Sequence, residues 1–238
     1  MLFILNFPVH SQVTQGKITY QQTIKMDFET PPEMKAMGRE LPKERTRLKE
    51  LYFDQTGSIY KDGPRIKDGD EESSQRRRRR NRRPRDNKYY KDLSSGKTMD
   101  KRDLMGKSFL IEDDPELQWK MTGEQKTILD YVCMKASTEK DSSIIHAWFT
   151  PQIPLSIGPG SFHGLPGAIL SLESDDQKMT ITASEIVLNE ALDIEIKAPK
   201  KGDKISSSDY QILEAEKMKE REKMRASRRS GHGRRGRN

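Results

Sequence analysis

Apolar and polar residues alternate along the first part of the chain. From Lys17 to Phe28, apolar side chains such as Ile18, Tyr20 and Ile24 occupy every second position except that of Gln22. A period of two indicates a half-buried β-strand. The stretch from Leu48 to Tyr60 carries apolar residues on both sides of a Gln-Thr-Gly turn, which predicts a β-hairpin. We therefore expect residues 12–60 to supply the N-terminal strands of a β domain.

Short apolar stretches resume after residue 103. They predict further strands, which occupy residues 109–111, 119–121, 126–136, 144–150, 168–173, 178–188 and 191–196. Many short strands separated by turns indicate a mainly β fold, an antiparallel curved sheet or a partial barrel or sandwich. Residues 12–60 and 103–200 are thus predicted to form one domain.

Two segments lack this alternation. Residues 61–102 have almost no aliphatic side chains and are predicted to be a disordered insertion. Residues 201–238 are predicted to hold one helix, from Ser208 to Arg225, and a disordered basic tail. Ser208 followed by Gln211 matches a capping box, but the apolar positions of the helix form no clean stripe, so we expect loose docking.

Charge is distributed very unevenly. The 238 residues include 34% charged residues and carry a net charge of +7. Residues 76–85 contribute +8 and residues 214–238 contribute +6, so the rest of the chain carries −7. A nucleic-acid-binding domain usually carries its positive charge on the folded face. Solvated arms, or arms that contact an anionic surface, fit this distribution better. The basic arm consists of Arg76, Arg77, Arg78, Arg79, Arg80, Arg82, Arg83 and Arg85.

The N-terminal residues indicate export. Residues 1–9 are apolar except for Asn6, and Val9 and Ser11 suit signal-peptidase cleavage after Ser11. Because no basic residue precedes the apolar run, residues 1–11 are interpreted as a truncated signal peptide; a first β-strand is the alternative. The lone Cys133 excludes an intramolecular disulfide. No apolar stretch is long enough for a membrane-spanning helix.

A segment rich in proline and glycine separates two of the predicted strands. The prolines fix φ and remove backbone donors, which predicts a rigid crossover loop. Pro166 and Gly167 suit the central positions of a type II turn. The residues that define the pattern are Trp148, Thr150, Pro151, Ile153, Pro154, Gly158, Pro159, Gly164, Leu165, Pro166 and Gly167.

This segment resembles the GLPGLI family of exported proteins from Gram-negative envelopes. Residues 164–167 match the naming motif, with Ala168 where the name has Leu, and residues 119–120 and 131–136 fit further family patterns. The resemblance implies a secreted, β-rich protein of unknown function, often found with TonB-dependent outer-membrane receptors. It implies no catalytic residues.

Candidate chemistry is sparse. The four histidines are His10, His146, His163 and His232, and none has a second ligand at zinc-binding spacing. No nucleophile elbow or phosphate loop occurs. His163, in the Pro/Gly-rich loop, is the one candidate for a ligand contact. We predict no cofactor, no metal and no catalytic residue.

Three functional hypotheses follow. The first is an exported non-enzymatic binding or accessory protein, periplasmic or associated with the outer membrane. Its partners would be an outer-membrane receptor or transporter, or anionic lipid, and its oligomeric state is open. The second is a hydrolase-like envelope enzyme with a site near His163. The third is a nucleic-acid-binding protein that uses the basic arm, although no specific nucleic acid is expected.

Overall fold

The computed structural model describes residues 13–26, 30, 32–38, 40–65, 85–113 and 115–232. These residues form twelve strands and two helices. The strands are β1 (Gln15–Lys25), β2 (Glu44–Asp54), β3 (Gly57–Asp62), β4 (Lys88–Asp92), β5 (Thr98–Leu104), β6 (Lys107–Ile111), β7 (Lys120–Ile128), β8 (Tyr131–Lys140), β9 (Ser143–Thr150), β10 (Ala168–Ser174), β11 (Met179–Leu188) and β12 (Asp203–Lys204). The helices are α1 (Pro32–Ala36) and α2 (Ser207–His232).

All twelve strands belong to one open sheet, in the order β12-β6-β5-β4-β3-β2-β1-β11-β10-β9-β8-β7. Neighbours are antiparallel except β12 and β6, which run parallel. We call β2–β6 with β12 the N-terminal arm and β7–β11 the C-terminal arm. Strand β1 joins them because it pairs with β2 on one side and β11 on the other. The predicted mainly β fold with a C-terminal helix is confirmed.

The main core lies between the sheet and the crossover loop, residues 151–167. Ile18 and Tyr20 of β1 are completely buried, as are Phe149 of β9 and Leu172 of β10. The same cluster contains Ile153 of the loop, which is also completely buried. Alternation in β1 therefore places its apolar face against this core, as the sequence predicts.

The predicted disordered insertion is wrong for residues 61–62, which end β3, and for residues 88–102, which contain β4 and most of β5. These strands lack aliphatic alternation, but Tyr89 of β4 is 6% exposed and packs inward. Asp86 pairs with Lys88 at 3.0 Å and with Lys101 at 2.6 Å, which ties β4 to β5. An aromatic side chain and cross-strand ion pairs stabilise strands here that hydrophobic patterning alone does not indicate.

Two further differences concern turns and irregular chain. The predicted strand at 126–136 is two strands, because Leu129 and Asp130 adopt φ of 48° and 67° in a tight hairpin turn. The predicted strand at 191–196 is absent: it follows Asn189, with φ of 58°, and the chain there is irregular.

Helix α2 is longer than predicted and begins earlier. Ser206, rather than Ser208, is the N-cap: its Oγ accepts the Asp209 N–H at 3.0 Å and donates to the Asp209 carboxylate at 2.7 Å. The helix continues to His232, through residues predicted to be disordered. Docking involves its first turns, where Tyr210 is 3% exposed and its ring meets Phe109 edge-on at 5.8 Å.

Two predicted segments lie outside the described residues: the signal peptide, residues 1–11, and the arginines Arg76, Arg77, Arg78, Arg79, Arg80, Arg82 and Arg83 of the basic arm. Arg85 is described and precedes β4. Within the described part of the chain, no helix has the length and apolar character needed to span a membrane.

Candidate functional site

The crossover loop connects β9 to β10 and rests on the sheet through its apolar side chains. Ile157 and Leu165 are 1% and 2% exposed, and Pro159 is fully buried. The Ala168 and Ile169 amides donate to the carbonyls of Ile153 and Ile157, both at 3.0 Å. The loop is therefore held by its own backbone hydrogen bonds as well as by packing.

The turn at Pro166 differs from the predicted type II turn. The Gly167 amide donates to the Leu165 carbonyl at 2.8 Å, two residues back, which is a γ-turn centred on Pro166. Proline fixes φ near the value that this turn requires. Gly167 is needed for a different reason than predicted: a Cβ there would lie 2.1 Å from the Thr150 carbonyl oxygen.

The other residues of the sequence pattern divide between core and surface. Thr150 is completely buried and Gly158 is packed so closely that a Cβ would lie 2.2 Å from the Phe162 carbonyl oxygen. Pro151, Pro154, Gly164 and Pro166 are exposed. Trp148 is 7% exposed, and the ammonium groups of Lys126 and Lys135 lie 4.2 and 5.7 Å from its ring centroid. Packing therefore explains the buried residues of the pattern, among them Trp148, Thr150 and Gly158.

His163 lies where the two arms of the sheet approach the same part of the loop. Its Nε2 is 3.1 Å from the Tyr89 hydroxyl of β4, in the N-terminal arm. Its carbonyl oxygen accepts a hydrogen bond of 2.8 Å from Trp119 Nε1, just before β7 of the C-terminal arm. One loop residue thus links two strands that lie far apart in the sheet order.

Two lysines act on the His163 imidazole. Burial, followed by the positive charges of Lys91 and Lys140, lowers the pKa of His163 to about 4. Lys91 of β4 is 8% exposed and donates to the Ser156 carbonyl oxygen at 2.9 Å. Lys140, at the end of β8, donates to Ser161 Oγ and lies 5.2 Å from the Phe162 ring centroid. At pH 7 the imidazole is neutral, and it is accompanied by two ammonium groups.

A cleft of about 850 Å³ lies in the seam between the two arms. Its walls come from β5 and β6 on one side and from β7, β8 and β9 on the other, and the first turns of α2 line it as well. We call it the seam cleft. Lys140 and Glu116 line it and also act electrostatically on His163 and Lys91 respectively, so the histidine cluster lies beside the cleft.

The remaining candidates lie apart from this region or outside the described residues. His146 Nε2 is 3.6 Å from Asp175 Oδ1, and His232 is the last residue of α2, whereas His10 is not described. Among the described residues, no three His, Cys, Asp or Glu side chains are grouped so that they could hold a metal ion.

The sequence pattern indicates His163 as a candidate but none of its neighbours in the fold. Lys91 and Tyr89 fall in the segment predicted to be disordered, and Tyr89 is 74 residues from His163 in the chain. Trp119, 44 residues away, lies in a predicted strand and fits a family pattern, and neither indicates a contact with His163. The adjacent tyrosines at 89 and 90 were the one aromatic signal that could have marked β4.

The fold is similar to that of solved structures, and part of the sequence is similar to a known family. The fold is similar to solved structures of PNGF-II in the C2 and P21 space groups, with TM-scores of 0.57 and 0.56 and 14% sequence identity in both. The similarity covers 84% of this chain but only 32% and 33% of those chains, so this chain spans about a third of their length. At this identity the likeness concerns the fold alone. No curated protein matches.

Residues 137–171 match a family described as "Protein of unknown function (Porph_ging)". This region contains the end of β8, the whole of β9, the whole crossover loop and the first residues of β10. The GLPGLI resemblance is not confirmed by this match and stays a prediction. Over residues 137–171, the chain is similar to a family of unknown function.

Proposed function

We propose that this protein is a non-enzymatic binding protein of the cell envelope that holds a ligand in the seam cleft. The observation that carries the proposal is the cleft itself, with its volume of about 850 Å³ and walls supplied by both arms of the sheet. Small-molecule sites commonly have volumes of about 300–1,000 Å³. A ligand bound there would contact five strands and α2.

The lining favours a polar ligand. Five acidic and three basic residues line the cleft, together with hydroxyl groups from several elements. Thr138 of β8 is 5% exposed, and its hydroxyl has no hydrogen-bond partner among the described residues. A buried hydroxyl without a partner is costly. A ligand that hydrogen-bonds to Thr138 would remove that cost.

Retention of a ligand by the purified protein tests the proposal. Ile144 lines the cleft and is 48% exposed, whereas Val132 is 49% exposed and does not line it. We expect native mass spectrometry of the protein purified from its own envelope fraction to show a bound mass. Ile144→Trp should remove that mass by filling the cleft, and Val132→Trp should retain it. No bound mass in the wild type, or equal retention by both variants, would refute the cleft as the ligand site.

We further propose that the protein is exported and that its basic arm contacts anionic lipid. The support comes from the sequence: the apolar residues 1–9 and the eight arginines between 76 and 85. Each basic residue near an anionic membrane surface contributes about 1 kcal/mol. Deletion of residues 76–85 should reduce binding to vesicles that contain anionic lipid at low salt but not at high salt. Unchanged binding at both salt concentrations would argue against this role.

One contact favours a second candidate function, hydrolysis. Lys140 Nζ donates to Ser161 Oγ beside the seam cleft. Some hydrolases activate serine with a lysine base, which is a neutral amine that accepts the serine proton. This function would therefore require Lys140 to lose its proton first and then to take the proton of Ser161. A fluorophosphonate probe distinguishes this function from simple binding. Labelling of the wild type that is lost in Ser161→Ala but kept in Ser156→Ala would support it, whereas no labelling of Ser161 would exclude this serine as the nucleophile.

A further inference from the structure

We infer that an anionic group, a carboxylate or a phosphate, binds beside Lys91 and His163 next to the seam cleft. The inference rests on the proposed binding function and specifies the chemistry of the ligand. It starts from Lys91, whose buried position is unusual for lysine because an ammonium group loses its hydration there.

The Lys91 ammonium is incompletely satisfied by the described residues. Its Nζ donates to the Ser156 carbonyl oxygen at 2.9 Å and lies 3.4 Å from Ser156 Oγ. No carboxylate of the described part of the chain forms an ion pair with it. Glu116 acts on Lys91 through its charge without forming an ion pair, and the Glu116 side chain is exposed to solvent. Buried charges in proteins are normally paired, so a counter-charge is expected at this position.

The surroundings of Lys91 suit an anion. Lys140 adds a second positive charge that acts on His163, and His163 Nε2 is held by the Tyr89 hydroxyl at 3.1 Å. Ammonium donors form strong, charge-assisted hydrogen bonds with carboxylate and phosphate oxygens. A bound anion would also stabilise protonated His163, because it counters the two charges that now disfavour protonation.

Inorganic phosphate and acetate serve as probes for the two kinds of anion. Each is titrated at constant ionic strength into the full chain, and the NMR signal of the His163 Cε1–H is followed. We expect one of the probes to produce a saturable shift and to raise the pKa of His163. Lys91→Met should weaken binding at least tenfold. The matched control Lys97→Met, in the exposed turn between β4 and β5, should bind as the wild type does.

Glu116→Gln gives a test of opposite sign that does not disturb a buried residue. Removing this negative charge should tighten anion binding, so unchanged or weaker binding would overturn the inference even where Lys91→Met fails to fold. Saturation by phosphate alone identifies a phosphate-type ligand, and saturation by acetate alone identifies a carboxylate. A shift that never saturates, or that is the same in a folded Lys91→Met protein, would overturn the inference.

The two proposals fail separately. A wild-type protein that retains a ligand which Ile144→Trp loses, but shows no saturable response to either anion, keeps the binding function and loses the anionic group. Saturable anion binding by a protein that retains no ligand keeps the anionic site and refutes the proposed binding function of the seam cleft.

Discussion

Two tyrosines in the core show how much a single hydroxyl partner matters. The rings of Tyr20 and Tyr60 meet edge-on with centroids 6.2 Å apart. The Tyr20 hydroxyl donates to the Ile169 carbonyl oxygen at 2.7 Å, whereas the buried Tyr60 hydroxyl has no partner among the described residues. Replacing tyrosine by phenylalanine therefore removes a hydrogen bond at position 20 but, among the described residues, none at position 60.

Tyr20→Phe should lower the free energy of unfolding by about 1–2 kcal/mol, because the Ile169 carbonyl loses a buried donor. Tyr60→Phe should leave the free energy of unfolding unchanged or raise it, since it removes an unpaired polar atom. Urea unfolding of both variants beside the wild type measures the difference. Equal destabilisation by the two substitutions would contradict the hydrogen-bond assignment.

His163 makes stability depend on pH in a defined direction. Its pKa of about 4 in the folded protein lies below the ordinary value of 6.5, so the unfolded chain binds the proton more tightly. The stabilisation is therefore fully present above about pH 6.5 and is lost as the pH falls towards 4. The maximum loss is about 3 kcal/mol, at roughly 1.4 kcal/mol for each pKa unit.

Substitution isolates this contribution from that of the acidic residues. His163→Gln removes the titrating group. The free energy of unfolding of this variant, relative to that of the wild type, should therefore rise by about 1–2 kcal/mol when the pH is lowered from 6.5 to 5. The measurement is urea unfolding of both proteins at the two pH values. A constant difference between them would show that His163 titrates normally in the folded state.

At the scale of elements, the start of α2 is set by two short contacts. Ser206 caps the helix through Asp209, and the Ser207 amide donates to Asp113 Oδ1 at 2.8 Å. Ser206→Ala should destabilise the docked helix by about 1 kcal/mol. Ser208→Ala should cost less, because among the described residues its hydroxyl hydrogen-bonds to Ser206 alone. Hydrogen exchange of the first-turn amides measures the effect. Faster exchange in Ser208→Ala than in Ser206→Ala would move the cap back to the position that the sequence indicates.

Some strands of the fold can be predicted from the sequence and others cannot. Strands such as β1, whose apolar face covers the main core, follow from alternation. Strand β4 does not, because its inward residues are Tyr89 and Lys91, and it depends on pairing with neighbours on both sides. The candidate site was predictable only as His163 in a rigid loop. The lysine and tyrosine that define its chemistry reach it through sheet topology, which local pattern does not reveal.

For the whole molecule, the arrangement of the strands makes the two arms one cooperative unit. Strand β1 pairs with both arms, and the crossover loop hydrogen-bonds to β4 and to Trp119. A core shared in this way has no surface along which the arms can separate without exposing apolar residues. The fold is thus predicted to unfold in one transition, although the chain order divides its strands into two groups.

This cooperativity is measurable because both tryptophans, Trp119 and Trp148, report on the C-terminal arm, while far-UV circular dichroism reports on every strand. The two unfolding midpoints should coincide. Ile157→Ala, in the fully buried part of the loop, should lower both midpoints together and reduce the free energy of unfolding by about 2–5 kcal/mol. Ile212→Ala, at a residue that is 59% exposed on α2, should change the free energy of unfolding by less than about 0.5 kcal/mol. If tryptophan fluorescence changed before the circular dichroism, the C-terminal arm would be unfolding alone, and the loop would belong to that arm rather than to a core shared by both.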